Sequence, residues 1–223
     1  SMLALTETDT ALGQHAEELQ LQTEVLAFLK QTLPHGHPDV AGVMNSIAGT
    51  HSAMGAHREA LALRTDVLAL ERRVRPPDSP RIGVAMHNLA ATYSDLGRHD
   101  EALRLATAAL AAVERTHPPS HPHIAAGMSQ LGSVLSHLGK HDEAYRRHGE
   151  ALALRRRNLP PKHPDMAASM NNVAVECWHL GRTAEARALQ TAAVARFQGL
   201  LPQGHPTLDT VGSTLEAMQE VGD

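Results

Sequence analysis

Aromatic residues make up only 2% of this 223-residue chain: one Trp, two Tyr and two Phe. Sheet proteins lean on aromatic and β-branched side chains to pack their pleated surfaces, so the shortage argues against a sandwich or a propeller. Cysteine is scarcer still. The single residue, Cys177, excludes an intramolecular disulfide and fits a reducing compartment. No apolar run approaches the roughly 18 to 20 residues needed to cross a bilayer. The N-terminus also lacks the apolar stretch of a secretion signal. Membrane insertion is therefore not expected. Positive charge is not in excess, the net value being −4, so nucleic acid is not an expected partner. Ser1-Met2 reads as the scar of a cleaved tag before a start methionine, so the chain is expected to be a piece of something longer.

What is abundant is alanine and leucine, both strong helix formers. They are arranged with a period. His37-Pro38 recurs as Ser79-Pro80, His121-Pro122, His163-Pro164 and His205-Pro206, each 42 residues after the last. Gly13, Gly55, Gly97, Gly139 and Gly181 form a second comb of the same spacing, and Glu18, Ala60, Ala102, Ala144 and Ala186 a third. Three combs of one period identify an internal repeat.

Each repeat splits into two helices. In the stretch from Pro80, the apolar residues Ile82, Met86, Leu89, Ala90 and Tyr93 fall at helical spacing. Proline suits the first helical position, whose N–H has no partner in any case. The residue before it occupies the N-cap, a role for which serine is better suited than histidine. The comb glycine then closes this A helix in a left-handed conformation. A B helix follows, such as Asp100 to Leu110, and ends in a proline-bearing link such as His117-Pro118-Pro119-Ser120. Short links make successive helices antiparallel, and hairpins that cannot bury their own apolar faces do so by stacking. The expected layout is one all-α domain over 1–223. It comprises a partial repeat at 1–36, with a short first helix near 3–12 closed at Gly13. Repeats follow at 37–78, 79–120, 121–162 and 163–204, and a capping helix at 205–223.

The units resemble the tetratricopeptide repeats of the kinesin light chain family. His163-Pro164-Asp165-Met166-Ala167, followed by Met170-Asn171-Asn172-Val173-Ala174, matches the opening of that family's long repeat. His37-Pro38-Asp39-Val40-Ala41 matches it too. Gly97-Arg98-His99-Asp100-Glu101-Ala102 and Gly139-Lys140-His141-Asp142-Glu143-Ala144 match the middle motif, and Ala109-Leu110 and Ala151-Leu152 the last. The Gly-x-x-x-Glu-Ala signature separates these units from HEAT and armadillo repeats of similar length. The resemblance covers about residues 13–212. It implies a right-handed superhelical solenoid whose A helices line a concave groove. It further implies a cytoplasmic, cytoskeleton-associated adaptor that holds cargo or another protein. The family's heavy-chain-binding coiled coil has no counterpart heptad run here, so pairing with kinesin heavy chain would use a segment outside this sequence.

Resemblance and helical geometry together place the groove-facing residues at Asn45, Ser46 and Gly49; His87, Asn88, Ala91 and Asp95; Ser129, Gln130, Ser133 and His137; and Asn171, Asn172 and Val175. Amide side chains carry both a donor and an acceptor. A ladder of Asn88, Gln130 and Asn172, one per repeat, could therefore clamp an extended peptide backbone. Family members that bind acidic peptides place Lys and Arg in these slots. Here the slots hold Ser, Gly, His and Ala with Asp95, so a neutral or partly apolar peptide is expected, with His87 and His137 as pH-sensitive contacts.

Other signals carry less. His35-x-His37 and His117-x3-His121-x-His123 are the densest histidine clusters. They are read as products of repeat spacing in proline-rich links, and no metal or other cofactor is expected. Arg72, Arg73 and Arg75, and Arg155, Arg156 and Arg157, end B helices, where the helix dipole favours cations. Cys177 occupies the apolar slot of Tyr93 and is expected to be a buried thiol. Trp178 beside it is a candidate stacking surface. There is no glycine-rich phosphate loop and no nucleophile elbow, so no catalytic residue is assigned. Two alternatives to a peptide-binding adaptor remain: a structural scaffold or homo-oligomerisation domain, and a regulatory repeat domain from a larger signalling protein.

Overall fold

A computed structural model describes residues 2–34 and 36–220, with side chains described within 14–219. The described residues are helical throughout, joined by short turns. The helices are α1 (Met2–Thr32), α2 (Pro38–Ala53), α3 (His57–Val74), α4 (Pro80–Asp95), α5 (His99–Thr116), α6 (Pro122–His137), α7 (His141–Asn158), α8 (Pro164–His179), α9 (Thr183–Gln198) and α10 (Pro206–Glu220). Two compact units result, residues 1–112 and 113–223, and the division falls within α5. The architecture is an all-α helical repeat solenoid.

Each comb has a structural job. The glycines at 55, 97, 139 and 181 have φ between 71° and 74°, a left-handed turn that an L side chain would strain. The alanines at 60, 102, 144 and 186 are fully buried, because helices A and B of a hairpin cross closely there. The first hairpin departs from the expected layout: α1 runs straight through Gly13 instead of turning back. The comb supplies the reason. Its alanine slot holds Glu18 in this repeat, which is exposed. A carboxylate cannot fill a sealed helix crossing without a large desolvation cost, and a helix tolerates one glycine at about 1 kcal/mol.

The caps also depart from the simplest reading. Nδ1 of His37, His121, His163 and His205 accepts a hydrogen bond from the backbone N–H two residues on, at 3.2–3.3 Å. Ser79 makes no such bond. Histidine is the working cap here.

In the first unit, Val40, Met44 and Ile47 of α2 meet Val67 and Leu68 of α3 and Ile82, Met86 and Leu89 of α4. In the second, Leu152, Met166, Met170, Val173, Cys177 and Met218 form one cluster. Ala167, Phe197 and Val211 form another. Val211 and Met218 lie on α10, so the last helix buries an apolar stripe and closes the stack.

Candidate functional site

A second register links three B helices to the A helices that follow. Positions 22, 64, 148 and 190 on B helices are polar, and for the first three a residue 28 positions later on the next A helix sits opposite. In the first unit, Thr50 donates to Gln22 at 3.1 Å, and Arg64 donates to Thr92 and to the Asn88 carbonyl, the latter at 3.0 Å. In the second unit the pair is His148 and Glu176, each 2% exposed.

This last pair floors a cavity of about 180 Å³ in the second unit. Its walls are Ser133, Ser136 and His137 of α6 and Asn172, Val175 and Glu176 of α8, with His148 rising from α7. Burial drives the pKa of His148 down to about 4; Glu176 opposes that shift and Arg155 adds to it. The ring is therefore neutral near pH 7, and its buried Nδ1 has no hydrogen-bond partner. Glu176 accepts a hydrogen bond from Nδ1 of His141 at 2.9 Å. The His141 ring stacks on His179 with centroids 4.3 Å apart and planes within 13°. A carboxylate is thus held at the base of a recess walled by hydroxyls, an amide and imidazoles.

Four of the expected groove residues, Ser133, His137, Asn172 and Val175, come together in this cavity. Two others are committed elsewhere. The Asn171 side-chain oxygen accepts from Gln190 at 2.9 Å, and Gln190 also donates to the Val211 carbonyl. Ser129 accepts from Arg155 at 2.9 Å, and the same guanidinium reaches Ser169 at 2.6 Å. Arg155, in the last turn of α7 with Arg156 and Arg157, is thus also a tie from α7 to α6 and α8, while Arg156 and Arg157 are exposed. Gln130 is half-buried on α6, outside the cavity.

In the first unit, Asn45 is half-buried, and its side-chain oxygen is sealed from solvent without a donor. Ser46 is exposed and bonds back to the Gly42 carbonyl. His87 and Asn88 are half-buried. Asp95 is exposed, with His57 at 3.8 Å. Burial lowers the pKa of Arg64, and Asp95 works against that shift. The expected groove slots on α4 carry no Lys or Arg, and Arg64 brings a cation beside them from α3. A larger recess of about 590 Å³ lies where the α1–α2 link meets α3; Val40, Met44 and Leu70 are among its walls, and it holds none of the expected groove residues.

Sequence reasoning missed Arg64, His148 and Glu176. The position of Glu176 reads as core, because Thr50, Thr92 and Val134 hold its slot and all are buried. The polar comb at 22, 64, 148 and 190 was the available signal. Cys177 is fully buried, and that burial pushes its thiol up to about 11 with Glu185 adding to the effect. Trp178 packs half-buried against the second unit's core. His35 lies outside the described residues.

The fold and this face define a repeat module of the protein-interaction class. Tetratricopeptide-repeat family models match residues 1–39, 39–115 and 123–199. The chain belongs to the tetratricopeptide repeat family, and its repeats are of the kinesin light chain type. Among solved structures, it resembles the nearly identical TPR-like repeats of a kinesin light chain-type protein of Podosopora anserina. Identity there is 25% with a TM-score of 0.70, over 87% of this chain and 92% of that one. BtubC (BKLC) from P. vanneervenii shares 20% identity with a TM-score of 0.75, over 94% and 84%. NprR, solved in complex with its cognate peptide NprX, shares 17% with a TM-score of 0.68, over 95% of this chain and 59% of that one. No curated protein matches. Among the described residues no helix is long and apolar enough to cross a membrane.

Proposed function

We propose that this chain is a non-catalytic adaptor module that holds an extended peptide across the face of α6 and α8, with a cationic side chain of the guest seated over Glu176. The carrying observation is the cavity built on the buried Glu176 and His148, walled by Ser133 and Asn172. A buried carboxylate favours an opposite charge brought to it out of water. The amide of Asn172 can bond a peptide unit as donor and as acceptor. The NprR complex supports the mode of binding by analogy of fold. The kinesin light chain type of the repeats supports the cargo-adaptor form of the reading.

The test is a displayed random-peptide library panned against the wild type and against Asn172→Ala. The expected result is a family of binders sharing one Lys or Arg, weakened at least tenfold by the substitution. A wild type that enriches no sequence, or binders indifferent to Asn172→Ala, would overturn the reading.

A second reading, self-association, is favoured by one observation. Leu21, Val25 and Phe28 form a stripe on α1 and are 63%, 47% and 64% exposed. At the slot of Val25, the later repeats hold Val67, Ala109, Ala151 and Ala193, all no more than 2% exposed. The straight course of α1 leaves uncovered what a hairpin would cover. Light scattering of the wild type and Phe28→Glu at micromolar concentration decides the point: a dimer dispersed by the charge supports this reading, and a monomer in both rejects it.

A further inference from the structure

The link from α5 to α6 in the second unit gathers three imidazoles. One potential ligand atom from each of His117, His121 and His123 lies within 4.8 Å of the others. Ring centroids are 4.0 Å apart for His117 and His121, 4.7 Å for His121 and His123, and 5.5 Å for His117 and His123.

Repeat spacing explains only one of the three. His121 occupies the cap slot shared with His37, His163 and His205. The slot of His117 holds Leu33, Arg75, Leu159 and Leu201 in the other repeats, and that of His123 holds Asp39, Arg81, Asp165 and Thr207. Only this link carries histidine at all three places, which removes the reason for setting the cluster aside.

The surroundings prepare the donors. Nδ1 of His117 lies 3.2 Å from the Val113 carbonyl. The Thr116 hydroxyl lies nearer, at 2.8 Å; with Nδ1 donating to these two oxygens, Nε2 keeps its lone pair, the arrangement typical of a metal-bound imidazole. The turn is braced: His121 N–H donates to the Pro118 carbonyl at 2.9 Å, and Asn158 of α7 donates to the Ser120 carbonyl at 2.7 Å.

We propose that His117, His121 and His123 form a site for a divalent transition-metal ion of the zinc class, with water completing a tetrahedron. Imidazole suits Zn²⁺, Ni²⁺ and Cu²⁺ over Mg²⁺ and Ca²⁺. Nitrogen ligands about 2.1 Å from zinc lie nearer one another than these do, so the half-exposed His117 and His121 and the exposed His123 close inward as the ion binds. His121 changes partner in the process. Its Nδ1 accepts from the His123 N–H at 3.2 Å. Coordination requires either Nδ1 itself or a hydrogen on Nδ1 with Nε2 as ligand, so the ion displaces this cap bond.

The experiment is calorimetric titration of Zn²⁺ into the chain at pH 7.5, on the wild type, His117→Ala, His123→Ala and the control His37→Ala, each checked for an unchanged thermal melt. The expected result is one micromolar equivalent in the wild type and in His37→Ala, weakened at least tenfold in each of the other two. In amide spectra, zinc also moves the His123 N–H first. Wild-type binding no tighter than millimolar overturns the proposal. So does a micromolar site that is unchanged in both His117→Ala and His123→Ala.

Discussion

The His148 ring lies against the bare α-carbon of Gly132. A Cβ built at Gly132 falls 2.8 Å from both Cε1 and Nε2 of that ring. The same slot holds Ala48, Ala90 and Ala174 in the other repeats, each fully buried. One repeat has traded an alanine for space, and an imidazole fills it.

Gly132→Ala therefore reverses the usual preference. In an ordinary helix interior the change stabilises by about 1 kcal/mol. Here it destabilises by about 1–3 kcal/mol, the range for overpacking a closed core. In a His148→Ala background the sign returns to stabilising. Urea unfolding of the four members of this cycle measures the coupling directly.

Stability depends on pH through His148. The unfolded chain takes up a proton near the ordinary value of 6.5, while the folded chain resists until about 4. Between those values the unfolded state binds more protons, so stability is full above about 6.5 and falls as pH drops toward 4. Glu176 and Arg155 face the ring and are counted in that shift. The loss approaches about 3 kcal/mol from this group. Denaturant melts at pH 7 and pH 4.5 on wild type and His148→Gln measure it, the variant losing less.

Histidine caps set the third expectation. His163→Ala removes the acceptor for the Asp165 N–H and costs about 1 kcal/mol, as cap losses do. Ser79→Ala removes no cap bond and is nearly neutral. Chemical denaturation of the two variants distinguishes them.

Most of the fold was legible because each comb residue serves a backbone purpose: proline opens, glycine turns, alanine lets helices cross. The first hairpin failed where the sequence itself dissented, at Glu18 in the alanine slot. Of the second unit's cavity, only A-helix walls are among the residues the sequence singles out. The resemblance and helical geometry together place Ser133, His137, Asn172 and Val175, which line the cavity. Glu176 sits in a slot that reads as core; His148 reaches the cavity from a B helix, and in the first unit Arg64 reaches Thr92 and the Asn88 carbonyl from another. Asn171 and Ser129 show the limit of facing arguments, since a polar residue beside the groove column can turn inward to Gln190 or Arg155.

The claim that Glu176 reads a cationic side chain is tested most directly by calorimetry on one selected peptide. Its single Lys or Arg is paired with norleucine in a second peptide, and both are titrated into the wild type and Glu176→Gln, a variant that keeps an acceptor for His141. The account predicts that the charged peptide loses at least tenfold in affinity on Glu176→Gln and that the norleucine peptide does not respond. Equal affinities of the charged peptide for both proteins would contradict it.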